Sequence, residues 1–71
     1  MSHRPVESST IASYDYNPLT HQMEVRFKNG SLYRYSDVDQ DTVKAFEEAE
    51  SKGGFLHQRI RGVFPFEKGE R

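Results

Sequence analysis

Between Met23 and Lys28 the chain alternates apolar and charged side chains, Met-Glu-Val-Arg-Phe-Lys, the period of a strand with one buried face. Asn29-Gly30 follows at once, the strongest short-range hairpin signal, and Leu32-Tyr33-Arg34-Tyr35 reads as the return strand. Two registers compete. A two-residue turn at Asn29-Gly30 pairs Phe27 with Leu32 and sets Tyr33 and Tyr35 beside Arg26 and Glu24. A type I turn closed by a bulge at Gly30 pairs Val25 with Tyr33 and Met23 with Tyr35 instead. The bulged register gathers Met23, Val25, Phe27, Tyr33 and Tyr35 on one face, which so thin a core needs, and it is the register expected. Glu24, Arg26, Lys28, Leu32 and Arg34 then share the opposite face, with Leu32 exposed.

Upstream, Ile11 to Tyr16 reads as a first strand, with Ala12, Tyr14 and Tyr16 on one face and Ile11, Ser13 and Asp15 on the other. Asn17-Pro18-Leu19-Thr20-His21 connects it to the hairpin, since the residue before proline is pushed out of the helical region. Downstream, Ser36 to Asp39 leads into a helix, and Asp37, Asp39 and Asp41 suit the positive end of its dipole. That helix is expected from Gln40 to Ser51, burying Val43, Phe46 and Ala49 or Glu50, with Gly53-Gly54 as its stop. Phe55 to Arg61 fits a short second helix that buries Phe55, Leu56 and Ile60. Val63-Phe64-Pro65-Phe66 fits an extended segment that its proline confines to a sheet edge. The expected fold is a small α+β domain: a three-stranded antiparallel sheet (β-β-β) packed against one main helix, with a short second helix and an extended C-terminal segment. Residues 1–7 read as a flexible N-terminal arm, 8–67 as a single domain and 68–71 as a loose C-terminal tail.

Composition narrows what such a domain can do. Of 71 residues, 34% are apolar and 30% charged, and no cysteine is present. Disulfides and thiolate metal sites are therefore excluded, and no apolar run is long enough for a membrane helix or a signal peptide. A chain this short buries only about 60% of its unfolded surface, so a homo-oligomer would supplement a modest stability. The net charge of −1 hides an asymmetry: residues 37–50 carry −5, whereas 51–66 carry +3 and no acid.

The ordered set Ser8-Ser9-x-Ile11, Tyr16, Pro18, Val25-x-Phe27-x-x-Gly30-x-x-Tyr33-x-Tyr35 and Val38 resembles the KTSC domain. So do Ala49-x-Ser51-Lys52-Gly53, Ile60-Arg61-Gly62 and Phe64-Pro65-Phe66, and together the motifs span residues 8–67. The sequence departs from the family pattern at Asp39, where proline is expected, and in phenylalanines that replace tyrosines near the C-terminus. That family is named for the C-terminus of some lysyl-tRNA synthetases and also occurs as stand-alone bacterial and phage proteins. The resemblance implies RNA binding as the proposed role and the cytoplasm as the compartment, the host's where a phage encodes the chain.

The residues themselves offer two anion-binding candidates. Lys52, Arg59 and Arg61 flank Gly53-Gly54 and His57, a segment whose backbone amides can approach a phosphate. It reads equally well as an ordinary helix end with basic residues on the dipole, and it lacks the spacing of a nucleotide-hydrolysing loop. On the hairpin, Arg26, Lys28 and Arg34 offer a cationic strip, and Tyr33 and Tyr35 offer rings on which bases stack; core packing is the plainer role for both tyrosines. His3, His21 and His57 lack metal-ligand spacing, and no nucleophile–base pair assembles, so neither a metal, a cofactor nor catalysis is expected. The reading is a non-catalytic binding module for RNA or another phosphate-bearing ligand. Its rival is a protein-interaction or nucleotide-sequestering protein, oligomeric and phage-encoded, using Leu32 or the Phe64-Pro65-Phe66 segment as an interface.

Overall fold

The computed structural model describes residues 8–69 and the backbone of Arg4 and Pro5. In chain order the elements are β1 (Arg4–Pro5), β2 (Ile11–Asn17), β3 (Gln22–Phe27), β4 (Leu32–Tyr35), α1 (Gln40–Glu48), α2 (Lys52–Phe55) and β5 (Phe66–Gly69). α2 runs directly into a π-helical turn, Leu56–Ile60. The strands form one antiparallel sheet in the order β1-β2-β3-β4-β5. The α+β class is as expected, but the sheet is larger than three strands: four strands of four to seven residues, with the two-residue β1 added at one edge.

The hairpin adopts the bulged register, with Val25 opposite Tyr33 and Met23 opposite Tyr35. Gly30 sits at φ 95°, a left-handed conformation that a side chain resists, and its N–H donates to the Phe27 carbonyl at 2.9 Å. Asn29 Oδ1 accepts from the Ser31 N–H at 2.9 Å and fixes the turn from outside. Met23, Val25 and Tyr35 are consequently fully buried, while Phe27 and Tyr33 are half-buried against the same core.

β2 departs from simple alternation. Ile11 pairs with Phe27 and Ser13 with Arg26, which leaves Ala12 as a bulge. The bulge turns Ile11 onto the face of Tyr14 and Tyr16, where it is fully buried, instead of the opposite face expected for it. The Tyr16 hydroxyl donates to the Val38 carbonyl at 2.6 Å, and the Val38 N–H donates to the His21 carbonyl at 2.9 Å. These bonds tie the loop before β3 to the loop before α1, where His21 and Asp37 both sit at φ 61°.

α1 lays Val43 and Phe46 on the sheet, and the Tyr14 and Phe46 rings meet edge to face with centroids 5.1 Å apart. The helix ends at Glu48, not Ser51, because Ala49 is extended (φ −68°, ψ 141°). Ser51 instead caps α2, its Oγ accepting from the Gly54 N–H at 3.1 Å. Gly53 and Gly54 therefore open a helix rather than stop one. Their missing side chains permit close approach: a Cβ on Gly54 would come within 3.0 Å of Ser51 Oγ, and one on Gly53 within 3.4 Å of Ser8 Oγ. Leu56 and Ile60 of the π turn close the core beneath α1, and Phe55 is half-buried beside Phe46.

The C-terminal segment supplies a further edge strand, which begins at Phe66, where the extended segment expected over residues 63–66 ends. A turn over Gly62 and Val63 and a single bridge between Arg61 and Phe64 lead past Pro65 into β5. There Phe66 to Gly69 pair with β4, so Lys68 and Gly69 belong to the sheet and not to a loose tail. That pairing also corrects Leu32, which is only 6% exposed: it lies opposite Gly69, where an added Cβ would stand 3.1 Å from Leu32 Cδ2. Among the described residues no helix is long and apolar enough to cross a membrane.

Candidate functional site

The basic segment 51–61 does not form one receptor. Lys52 leans back on its own helix start, its Nζ donating to the Ala49 carbonyl at 3.3 Å, and with Gly53 it borders a small polar hollow shared with Ser8, Ser51 and Glu50. Arg59 borders a separate groove with Asp41, Phe55, Val63 and Phe64, an acid among its neighbours. His57 is exposed and borders neither. Arg61 lies beyond the π turn and faces a third space. Residues two apart do not share a helix face, and Arg61 follows the turn in an extended conformation (φ −68°, ψ 126°), so Arg59 and Arg61 serve different surfaces.

The hairpin strip is also divided. Arg34 is held between acids, its Nε 3.1 Å from Glu24 Oε2 and its Nη1 3.8 Å from Glu67 Oε1. It stands on the outer face with Arg26, which is half-buried opposite Leu32. Lys28 is exposed just past the end of β3, where its backbone N–H donates to the Thr10 carbonyl.

What the fold brings together is Arg61, Tyr33 and Tyr35. They line a cavity of about 270 Å³ at the end of the sheet nearest the hairpin turn. Phe27 and Tyr33 are half-buried at this end, whereas Met23 and Val25 further along the same face are fully buried. Thr10, Asn29 and Ser31 supply polar groups around the rim, Phe27 adds a third ring, and Arg61 is the one charged residue among the described residues lining it. The rings are ordered against one another: Phe27 meets Tyr33 edge to face at 5.3 Å, and Tyr33 lies nearly parallel to Tyr35 at 6.3 Å. Phe66 of β5 packs on both tyrosines at 5.3 and 5.7 Å and backs them from the sheet edge.

Tyr35 carries the unusual chemistry of this cavity. The residue is fully buried, yet its hydroxyl has no hydrogen-bond partner. Burial pushes its pKa above the usual phenol value; the Arg61 guanidinium acts against that and the neighbouring Tyr33 with it. The hydroxyl is therefore a neutral donor at ordinary pH. Among the described residues no three metal-ligating side chains come together, here or elsewhere.

The family model of the KTSC domain matches residues 7–64. The chain belongs to the KTSC domain family. A crystal structure of a KTSC domain protein from Yersinia pestis superposes with a TM-score of 0.91 at 34% identity, covering 97% of both chains. That span reaches beyond residue 64, so β5 is part of the shared architecture. Among sequence relatives, a lysine–tRNA ligase of Nostoc sp. is 36% identical over 62 residues, which is 87% of this chain but 11% of the ligase. An uncharacterized protein of Stutzerimonas stutzeri is 40% identical over 53 residues, 75% of each chain. The domain thus spans only a small part of the synthetase relatives and most of the stand-alone one.

Thr10, Phe27, Asn29 and Ser31 were not among the site residues expected from sequence. Asn29 read there as turn chemistry and Phe27 as core, while Thr10 and Ser31 carried no reading. Their shared cavity follows from the bulged register and from the Lys28–Thr10 backbone bond, which draws the start of β2 to the hairpin turn.

Proposed function

We propose that this KTSC domain is a non-catalytic binding module for RNA or another phosphate-bearing ligand, with the Arg61 cavity as its contact. The meeting of Arg61 with Tyr33 and Tyr35 around one opening, with no acid among the described residues that line it, is the observation that supports it most. A guanidinium offers five donors in a fixed fork suited to phosphate oxygens, and the half-exposed Tyr33 ring offers a stacking surface. The lysine–tRNA ligase relatives act beside RNA by name, which favours RNA over other polyanions. Arg61 anchors the ligand, exposed Lys28 is the nearest further cation in sequence to the cavity rim, and Lys52, His57 and Arg59 take no part in that contact.

With so few phosphate contacts, binding is weak and salt-sensitive. Titrating the full chain with a short single-stranded RNA at rising salt tests this: affinity falls as salt rises, and Arg61→Gln lowers affinity and flattens the slope by about one contact. An affinity indifferent to salt and to Arg61 contradicts the proposal. The protein-interaction reading keeps one specific support, the exposure of Val63 (62%) and Phe66 (49%) near the C-terminus. A domain that ignores RNA while self-associating in light scattering would favour it.

A further inference from the structure

The buried hydroxyl of Tyr35 calls for an explanation that core packing does not give. Native interiors seldom leave a polar atom unpaired, because its lost hydration is not regained, and phenylalanine would fill the same volume without that loss. The unpaired hydroxyl belongs to a residue that lines a cavity, alongside a cation and polar rim residues. We infer that this cavity is a receptor for a single nucleotide unit, whose phosphate sits on Arg61, whose base lies against Tyr33 and Phe27, and whose entry displaces the side chains that seal the Tyr35 hydroxyl and gives it an acceptor. The inference rests on the phosphate-binding reading above and names the ligand that the site takes.

Three features select that class. The cavity, at about 270 Å³, lies just below the roughly 300–1,000 Å³ of ordinary small-molecule sites, so it holds one nucleotide and not a run of them. Among the described residues no carboxylate lines it, so these residues offer no counter-charge to the ammonium group of an amino acid or other zwitterion. A phosphotyrosine side chain matches the cation and the rings but presents no polar ring edge to Thr10, Asn29 and Ser31. A nucleotide presents base-edge and ribose groups that do. The unit is either a free mononucleotide or one unstacked residue of an RNA; both offer the same contacts, and the experiment separates them.

The test is calorimetric titration of the full chain, wild type and the Tyr35→Phe and Arg61→Gln variants, with nucleoside monophosphates, inorganic phosphate, a phosphotyrosine peptide and a short single-stranded RNA. Expected is saturable binding of at least one mononucleotide, tighter than inorganic phosphate, weakened about fivefold or more by Tyr35→Phe and about tenfold by Arg61→Gln. The thermal midpoint of unliganded Tyr35→Phe should meanwhile hold or rise, since an unpaired buried group has been removed; a hydroxyl of merely structural use would lower the midpoint and leave affinity alone. Tighter binding of RNA than of every mononucleotide, with the same variant losses, identifies an unstacked RNA residue as the occupant. RNA binding unaffected by Tyr35→Phe, with no mononucleotide bound, overturns the single-nucleotide receptor and leaves the broader RNA reading standing. Equal affinity for phosphate and nucleotides, or preference for the phosphotyrosine peptide, overturns it as well. Failure of all ligands removes both.

Discussion

Tyr16 and Tyr35 stand on one face of the sheet, and their hydroxyls meet opposite fates. Tyr16 finds the Val38 carbonyl, whereas Tyr35 finds no partner. Both pKa values lie above the ordinary phenol value of 10.0, Tyr16 through burial and then Asp39, Tyr35 through burial despite Arg61. The folded chain thus holds these protons more tightly than the unfolded one. Their contribution to stability is whole below the unfolded value and drains as pH climbs past it. Chemical denaturation should therefore show stability falling above about pH 10, with a shallower fall in a Tyr16→Phe, Tyr35→Phe double variant; identical alkaline limbs in the two proteins would contradict this. At this scale the sequence was informative where geometry is local. Asn29-Gly30 announced both the turn and its bulge, and so the face on which Tyr33 and Tyr35 lie. It could not show that Tyr35 would lack a partner, because the groups around it come from β2, the hairpin and the segment after the π turn.

Elements were legible when their period was clean and misread when one residue type had two uses. Glycine pairs end helices, but they also permit tight first turns, and here Ser51 decides the matter by capping α2. Ser51→Ala should cost about 1 kcal/mol in denaturant unfolding, leaving the slope with denaturant unchanged. A loss near zero would mean that the serine is only a linker. The Ala12 bulge escaped notice because one inserted residue reverses every later assignment of face, and nothing in Ile11-Ala12-Ser13 marks it. β5 escaped because its pairing with β4 is long-range and its four residues, Phe-Glu-Lys-Gly, have no clear alternation. Finding β5 also removes Leu32 from the surface and with it one support for an apolar interface.

For the molecule as a whole, charge decides which surfaces can meet what. The acidic stretch lies along α1 and its approach, while the Arg61 cavity opens at the hairpin end with no acid among the described residues that line it. β5 is one edge of the sheet. Two copies paired antiparallel about a twofold axis through the centre of this strand must set Glu67 against Glu67 or Lys68 against Lys68. Like charges so placed oppose sheet extension, a common protection of edges. Light scattering should accordingly find no dimer that forms through this edge, and a dimer abolished by Lys68→Pro would show the repulsion to be overcome. The premise that the cations of residues 51–61 act together does not survive the fold, in which Arg59 and the extended Arg61 border different cavities. The basic count was readable in the sequence; its division between surfaces was not, because it depends on where the chain leaves the helix after Ile60.

The location of the ligand is the point on which the rest depends. Mapping amide chemical-shift changes during titration with a short RNA would test it directly. The predicted result is a cluster at Thr10, Asn29, Ser31, Tyr33 and Arg61, around the cavity at the hairpin end. Changes centred on Lys52, Gly53, His57 and Arg59, with the hairpin end silent, would contradict it.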